Sequence, residues 1–572
     1  MYIRPIYRNK DGKRHAYWAL MESVRTERGP RSRVVAYLGA MPAGGRRGVA
    51  AAAHGHRPVQ QGLFEEDSSW VEVDTSRVRV ERLRSFGGPW LGRELLRQVG
   101  LDEFFAETLR GGREAIPWSV MAQVLVLSRV CEPSSELHIA EHFYGHSAME
   151  DLLGIPAEKV SDDRLYRALD KLLPHKEALE RHLKERLGTL FDLEYDLLLY
   201  DVTSTYFEGE AAKNPLAQRG YSRDGRGDCK QVCIGLVVSR SGMPLGYEVF
   251  AGNRHDSTTL EEIVETMEGR YGRSNRIWVM DRGMVSEEHI EFLQRHGRRY
   301  LVGTPKSALK KFECELLSQG WETVREGLEV KKCPSPDGQE TFILCRSADR
   351  REKEKSMHER FAQRIREGLE KIAKSCAGKR QEPLLIAQRV GRLKGLNSRA
   401  AGLFHVTIGT RADGGATVRW KEVEEWRAWS ELSEGCYLLR SNVAEWSAED
   451  LWRTYIQLTE AEAAFRIHKS DLRIRPIWHQ IPGRVQAHIL VCFLAYVLWK
   501  TLAQLCRQAG LGDEPRKVFD ELKRISLVDV VIPTKTGVEI RKRCVTQPDE
   551  HQVILLQLLG LHLPQRLETH KM

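Results

Sequence analysis

Asp201 stands inside the apolar run LLLYDV, and Asp281 ends the run RIWVMD ahead of Arg282 and Gly283. Taking a carboxylate out of water costs several kcal/mol unless a positive or hydrogen-bonding group compensates it. Each acid by itself has a structural explanation: Asp201 as an acceptor of backbone N–H groups, Asp281 as the partner of Arg282 or the cap of the next helix. A third acid, Glu462, lies in the helical pattern EDLWRTYIQLTEAEAAFRIHKSD. Residues seven apart on an α-helix fall within about 20° of one another, so Tyr455, Glu462 and Lys469 share a stripe flanked by Leu458, Thr459, Phe465 and Arg466. Glu462 is therefore expected to point inward or into a cleft. Glu460, about 200° away on the same wheel, is expected to face solvent. Considered separately, Tyr455 and Lys469 also fit a heptad-spaced surface pair.

Three carboxylates from two strands and a helix, aimed at one cleft, would make the oxygen-rich, partly hydrated site that Mg²⁺ prefers. Two such ions support in-line displacement at a phosphodiester. No Walker loop, Ser/His/Asp triad or dinucleotide glycine fingerprint competes with this reading. Arg466, Lys469, Arg473 and Arg475, opposed by Asp471 alone, continue the helix as a basic face suited to a phosphate backbone.

The elements that must position these groups follow from pattern. DLLLYDVTSTYF is a strand, and KQVCIGLVVS with MPLGYEVFAGN forms a hairpin across Arg240-Ser241-Gly242. A helix opens near Thr259, whose hydroxyl and Glu262 have capping-box spacing. The strand RIWVMDRG, the helix SEEHIEFLQRHG and the strand RYLVGT complete a mixed sheet covered by helices. Ser447 and Asp450 have capping-box spacing ahead of the Glu462 helix, and VQAHILVCFLAYVLWKTLAQL is an apolar, buried helix. Upstream, YIRPIYR, HAYWALMESV and RVVAYLG read as strands of a small basic β unit with a turn at Asn9-Lys10-Asp11-Gly12. Residues 41–68 read as a linker. Residues from about Gly88 to Leu190 read as helices without a helix-turn-helix signal, able to bind DNA or to support the fold. Between 306 and 430, β-like pieces surround a charged, solvated helix from Ala348 to Lys374.

The organisation expected is a basic β unit plus linker (1–75) for DNA-end binding, a helical domain (76–190), a catalytic core (191–305 with 431–500), a β-rich insertion (306–430) and an α-rich carboxy-terminal region (501–572) suited to dimerisation. The 572 residues, 41% of them apolar, are enough for several cores. Lys and Arg number 88 against 79 Asp and Glu, a net charge of +9. Residues 1–50 hold 11 Lys and Arg against 3 Asp and Glu, a net +8, and the remaining 522 residues net +1. A basic arm of this kind suits a polyanion, nucleic acid above all, although a solvated basic terminus shows the same count. Eleven scattered cysteines, with Cys229 and Cys233 lacking a second pair, read as reduced thiols rather than a zinc knot. Arg4, Arg8, Lys10, Lys13 and Arg14 interrupt any signal-like start, and the longest apolar run, Ile489 to Trp499, is eleven residues, against roughly 20 for a bilayer span. A soluble, intracellular protein is expected.

YDVTSTYFEG, VVSRSGMPLGYEVFAGNRHDSTTL, VMDRG, CYLLRSN and YIQLTEAEAAFRIHK together resemble the catalytic core of bacterial insertion-sequence transposases of the Asp-Asp-Glu class. The branch it resembles has a Tyr-x2-Arg-x3-Glu-x6-Lys signature and a large β-rich insertion before the Glu. The likeness covers roughly residues 190–500, and 80 residues separate Asp201 from Asp281 with 181 more to Glu462. It implies an α/β, ribonuclease-H-like fold, with Asp201, Asp281 and Glu462 as catalytic metal ligands. Two Mg²⁺ ions, replaceable by Mn²⁺, are the implied cofactor. Tyr455 and Lys469 match the signature's DNA-contacting residues, joined by Arg466, Arg473 and Arg475 on the basic face. Leu458 occupies the signature arginine position, and Arg466 is a candidate replacement. Trp321, Trp420, Trp426 and Trp429 are candidates for an aromatic that stacks a flipped base, with core packing the simpler role for each.

The activity implied is cleavage at transposon ends followed by transfer of the 3′-hydroxyl into target DNA. A hairpin route for the flanking strand and a synaptic homodimer that cuts in trans are implied as well. The partners are terminal inverted-repeat DNA and target DNA, with no membrane, in a cytoplasmic, nucleoid-associated setting. A hydrolytic nuclease with the same site, or a silent transposase-derived DNA-binding protein, would share these motifs. Replacing Arg4, Arg8, Lys10, Lys13 and Arg14 by Gln should weaken DNA binding and lower the salt slope by about 0.9 per lost phosphate contact. An unchanged slope in a filter-binding titration would show that the arm does not meet DNA.

Overall fold

The computed structural model describes residues 2–10, 13–26, 29–39, 71–112, 114, 116–273, 275–335 and 338–564. The basic start forms an antiparallel meander of β1 (Tyr2–Lys10), β2 (Lys13–Thr26) and β3 (Gly29–Gly39), with Tyr2 opposite Met21 and Lys10 opposite Lys13. The expected linker lies outside the described residues.

β4 (Arg79–Ser85) leads into helices Gly87–Gln98, Leu101–Thr108, Trp118–Cys131, Asp162–Leu172 and Lys176–Phe191. Local chemistry sets their ends. Ser161 caps Asp162–Leu172 by accepting from the Arg164 N–H, and Gly100, at φ 67°, supplies the left-handed residue between the first two. The helices pack around Pro482–Gln508, so that Leu95, Leu125 and Leu169 share one core with Leu494 and Leu498. This block supports the fold. Pro482–Gln508 spans 27 residues, extending the expected helix VQAHILVCFLAYVLWKTLAQL at both ends, and is the one described helix long and apolar enough to cross a membrane. Nearly all of its apolar window is covered by the rest of the chain.

The nine-stranded sheet is built from the long apolar runs. β5 (Leu197–Tyr206), β6 (Gln231–Val238) and β7 (Pro244–Ala251) form an antiparallel set, turned by Gly242 at φ 77° as the Arg240-Ser241-Gly242 motif predicts. β8 (Ile277–Met280) lies parallel to β5, and β9 (Arg299–Gly303) parallel to β8. Both sheet faces are buried, which is why these strands read as continuous apolar runs rather than alternating ones. Beyond β9 the sheet continues antiparallel: β10 (Glu322–Arg325), β11 (Leu328–Pro334) and β12 (Thr341–Ser347) join it through β15 (Cys436–Ser441), giving the order β10-β11-β12-β15-β9-β8-β5-β6-β7.

Three expectations need correction. The segment read as a β-rich insertion is split. β10–β12 belong to the main sheet, whereas the rest is mainly helical, with Ala348–Gly378 and Pro383–Leu396 packed on the hairpin β13 (Phe404–Thr410)–β14 (Ala416–Glu422). Ile365, Leu369, Ile386 and Phe404 form its own core, so the charged Ala348 helix is solvated on one face only. The carboxy-terminal region is not simply α-rich: β16 (Ser526–Pro533) and β17 (Glu539–Val545) form a sheet with β4, some 440 residues away. Thr259 does not cap its helix with Glu262. A tight turn, Asp256–Thr259, precedes Leu260–Tyr271, and the Thr259 hydroxyl donates to the Asp256 carbonyl while accepting from Tyr200.

Arg84 joins the two ends of the chain. It is 2% exposed, and its guanidinium meets Asp151 at 2.6 Å and Asp529 at 2.8 Å. Asp529 also meets Arg543, so Asp529→Ala leaves Arg84 and Arg543 sharing Asp151 alone and should destabilise the fold by about 1–3 kcal/mol. A lowered urea midpoint checks this; an unchanged one refutes it.

Candidate active site

The parallel register pairs Tyr200 with Met280 on β5 and β8. Asp201 and Asp281, each the next residue, therefore leave neighbouring parallel strands side by side, where ligands collect in α/β sheets. Asp201 is half-buried, and one of its oxygens accepts the Val202 N–H at 2.8 Å. Burial pushes its carboxyl up to about 7; the Val202 N–H and Arg223 oppose the rise, and the charges of Asp281 and Asp256 add to it. The structural reading of Asp201 thus accounts for one hydrogen bond but not for the cost of its charge.

Asp281 is exposed, and among the described residues it has no ion pair, with Arg282 or otherwise. Nor does it cap the following helix, Glu287–Arg295, which Ser286 and His289 cap reciprocally. Its Oδ1 instead accepts the Tyr455 hydroxyl at 2.9 Å. That approach needs Gly303 at the end of β9, because a Cβ there would collide with the Tyr455 hydroxyl. Burial and the neighbouring Asp281 raise the Tyr455 phenol above its ordinary range, so it remains a donor.

The helix expected to carry Tyr455, Glu462 and Lys469 is two helices, Ala448–Ile456 and Leu458–Ser470, broken at Gln457 by a tight turn. Ser447 caps the first as its spacing predicts, accepting the Asp450 N–H at 3.0 Å. Leu458–Ser470 packs against β5, and Glu462 stands exposed on it, without an ion pair among the described residues. Glu460 does not face solvent freely. Lys500 reaches it at 3.2 Å and Arg507 at 3.8 Å, a long-range pairing invisible to a helical wheel.

The basic face divides. Arg466 and Arg473 are exposed, but Lys469 and Arg475 are half-buried and both pair with Asp224 Oδ1, Lys469 at 3.0 Å. Lys469 is therefore not one half of a heptad-spaced surface pair with Tyr455. Asp224 is 4% exposed at its side chain, and its Oδ2 is buried without a hydrogen-bond partner. The adjacent Arg223 pairs with Asp256 and lowers the pKa of both Asp201 and Lys469, so this loop connects the acids to the basic face. Sequence reasoning missed the loop, whose only signal is its density of Arg, Asp and Gly. It also missed two exposed aromatics, Tyr221 (85%) and Trp478 (65%).

The four tryptophans singled out earlier are half-buried in packing roles. Trp420 and Trp426 lie against the Ile365 core; Trp321 and Trp429 lie against a second cluster, capped by Arg346 and Lys310 over their rings. Leu458 packs against the main core, so nothing cationic replaces the signature arginine at that position. From Arg282, beside Asp281, a cavity of about 770 Å³ runs under the Ala348 helix, lined by Lys306, Arg350, Lys353 and Arg399 with Glu354 against them. Asp201 and Asp281 are a donor set of hard oxygens suited to a divalent cation.

Because the folded protein holds the Asp201 proton more tightly than the unfolded chain, stability is present at low pH and lost as pH rises toward about 7. In EDTA, Asp201→Asn should melt like the parent near pH 4 and above it at pH 8. Equal melting temperatures at pH 8 would show that the charge is not costly in the fold.

Residues 192–498 match the family model described as transposase DDE domain. Among curated proteins, none matches the chain. With more than half of its length covered by that match, and with two carboxylates brought together on neighbouring strands within it, the chain belongs to the transposase DDE domain family.

Proposed function

We propose that this protein is a DNA transposase that cuts at the ends of its element and joins the freed 3′-hydroxyl to target DNA. The observation that carries the proposal is the side-by-side placement of Asp201, within β5, and Asp281, directly after β8. In this reading the nine-stranded sheet is the ribonuclease-H-like core, and Asp201, Asp281 and Glu462 hold two Mg²⁺ ions, or Mn²⁺ in their place. Metal bound there supplies Lewis-acid activation of the attacking oxygen and stabilises the leaving oxygen.

The chain's own groups do the remaining work. Tyr455 orients Asp281 through its hydroxyl, and Gly303 leaves it room. Lys469 and Arg475, held by Asp224, and the exposed Arg466 and Arg473 bind backbone phosphates of the terminal repeat. The basic cavity from Arg282 to Arg399 continues this path. Cleavage forms a bond from a water oxygen to phosphorus as the P–O3′ bond breaks, and the departing 3′-oxygen takes a proton from solvent. In strand transfer that 3′-hydroxyl attacks a target phosphodiester in the same way. A synaptic homodimer acts in trans, with the carboxy-terminal region, whose Ile554 and Leu558 are exposed, as its contact. The amino-terminal strands read the transposon end.

Losing several kcal/mol of transition-state stabilisation is worth two or more decades in rate. Asp201→Ala, Asp281→Ala and Glu462→Ala should each reduce cleavage by about 10²-fold or more. Tyr455→Phe, which removes only the orienting hydrogen bond, should cost about 10–100-fold. A strand-transfer assay on labelled ends and a plasmid target checks this. Cleavage without joining would instead identify a hydrolytic nuclease, and full activity in Glu462→Ala would remove that residue from the site.

A further inference from the structure

Away from the acids of β5 and β8, a second cluster of ligating groups lies where the helical block meets the core. Glu136, on the short helix Glu136–His138, is 4% exposed; His479, after the basic segment, is 9% exposed; His488, in Pro482–Gln508, is 5% exposed. One ligating atom from each lies within 4.8 Å of the others. Glu136 Oε1 and His479 Nε2 are 3.3 Å apart, close to the roughly 3.3 Å between donors of a tetrahedral ion bound at about 2.0–2.1 Å. The rings of His479 and His488 are 5.4 Å apart, and Tyr166 meets His479 edge-on.

The Ile474 carbonyl accepts His488 Nε2–H at 3.1 Å, which leaves Nδ1 with its lone pair. Such a bond from the second ring nitrogen to a carbonyl is what commonly orients a ligating histidine. Cys492, one turn further along the same helix and fully buried, sets its Sγ 3.9 Å from His488 Nε2. The buried Arg129, donating to the Arg473 carbonyl at 3.4 Å, brings positive charge close by. The Glu136 carboxylate offsets part of that charge when a dication enters.

We propose that Glu136, His479 and His488, with Cys492 beside them, bind a zinc-type divalent ion that staples the helical block to the segment carrying Arg473 and Arg475. Two imidazole donors favour zinc over the hard Mg²⁺ suited to carboxylates alone. The three ligands come from segments more than 340 residues apart, so the ion would add stability by linkage rather than chemistry. The inference does not rest on the transposase reading.

The test removes the other candidate metal site first. Full-length Asp201→Asn/Asp281→Asn protein, stripped with chelator, is titrated with Co²⁺ and followed by its visible absorption and by melting temperature. One tightly held ion per chain, displaced by Zn²⁺ and raising the melting temperature, is expected. Glu136→Gln and His488→Gln in the same background should weaken binding by about 100-fold or more. No stoichiometric ion in the parent background, or equal binding in both variants, overturns the proposal. The parent titration decides it even where a variant does not fold.

Discussion

Parallel pairing between β5 and β8 is the constraint from which the candidate site follows. Parallel strands carry evenly spaced hydrogen bonds and equal rise, so residues at equal offsets leave the two strands together. Tyr200 opposite Met280 thus makes neighbours of Asp201 and Asp281. Hydrophobic burial on both faces holds the register, and it also desolvates Asp201, pushing its carboxyl to about 7. The packing that builds the sheet is also what makes a carboxylate there costly without a cation.

Around that pair the chain places groups whose own partners are mostly distant. Tyr455 arrives from beyond the helical insertion, passes Gly303 and donates to Asp281. Asp224 gathers Lys469 and Arg475 and leaves one oxygen buried without a partner, while Arg223 links that loop to Asp201. Cations held in this way are pre-organised, with little side-chain freedom left to lose. The cavity beginning at Arg282 gathers Lys306, Arg350, Lys353 and Arg399, with Asp349 and Glu354 among them.

The scaffold is tied together by long-range polar contacts as well as by apolar burial. Arg84 joins β4 to β16, and Lys500 joins helix Pro482–Gln508 to Glu460. The Arg84 pairs are removed from water and expensive to break, and Lys500 is buried while Glu460 keeps part of its exposure, so both contacts are specific about which elements meet. They also explain two misreadings. Glu460 looked solvent-facing because a helical wheel knows only its own helix. Residues 501–572 looked α-rich because β16 has its strand partner near residue 80.

What the sequence determined by itself was local. Continuous apolar runs marked β5, β6 and β8, since strands buried on both faces need no alternation, and acids inside such runs were legible as anomalies. The Gly242 turn and the Ser447 cap were equally plain, because each depends on a few adjacent residues. Tertiary structure decided everything that required a distant partner: the break at Gln457, the loss of the Thr259 cap to Tyr200, the joining of β10–β12 to the main sheet and the capture of Lys469 by Asp224. Strand pairing and ion pairing are contacts between segments hundreds of residues apart, and periodicity carries no information about which segments meet. Asp201 and Asp281 could be picked out from their neighbours in the chain; only the fold could bring the two together.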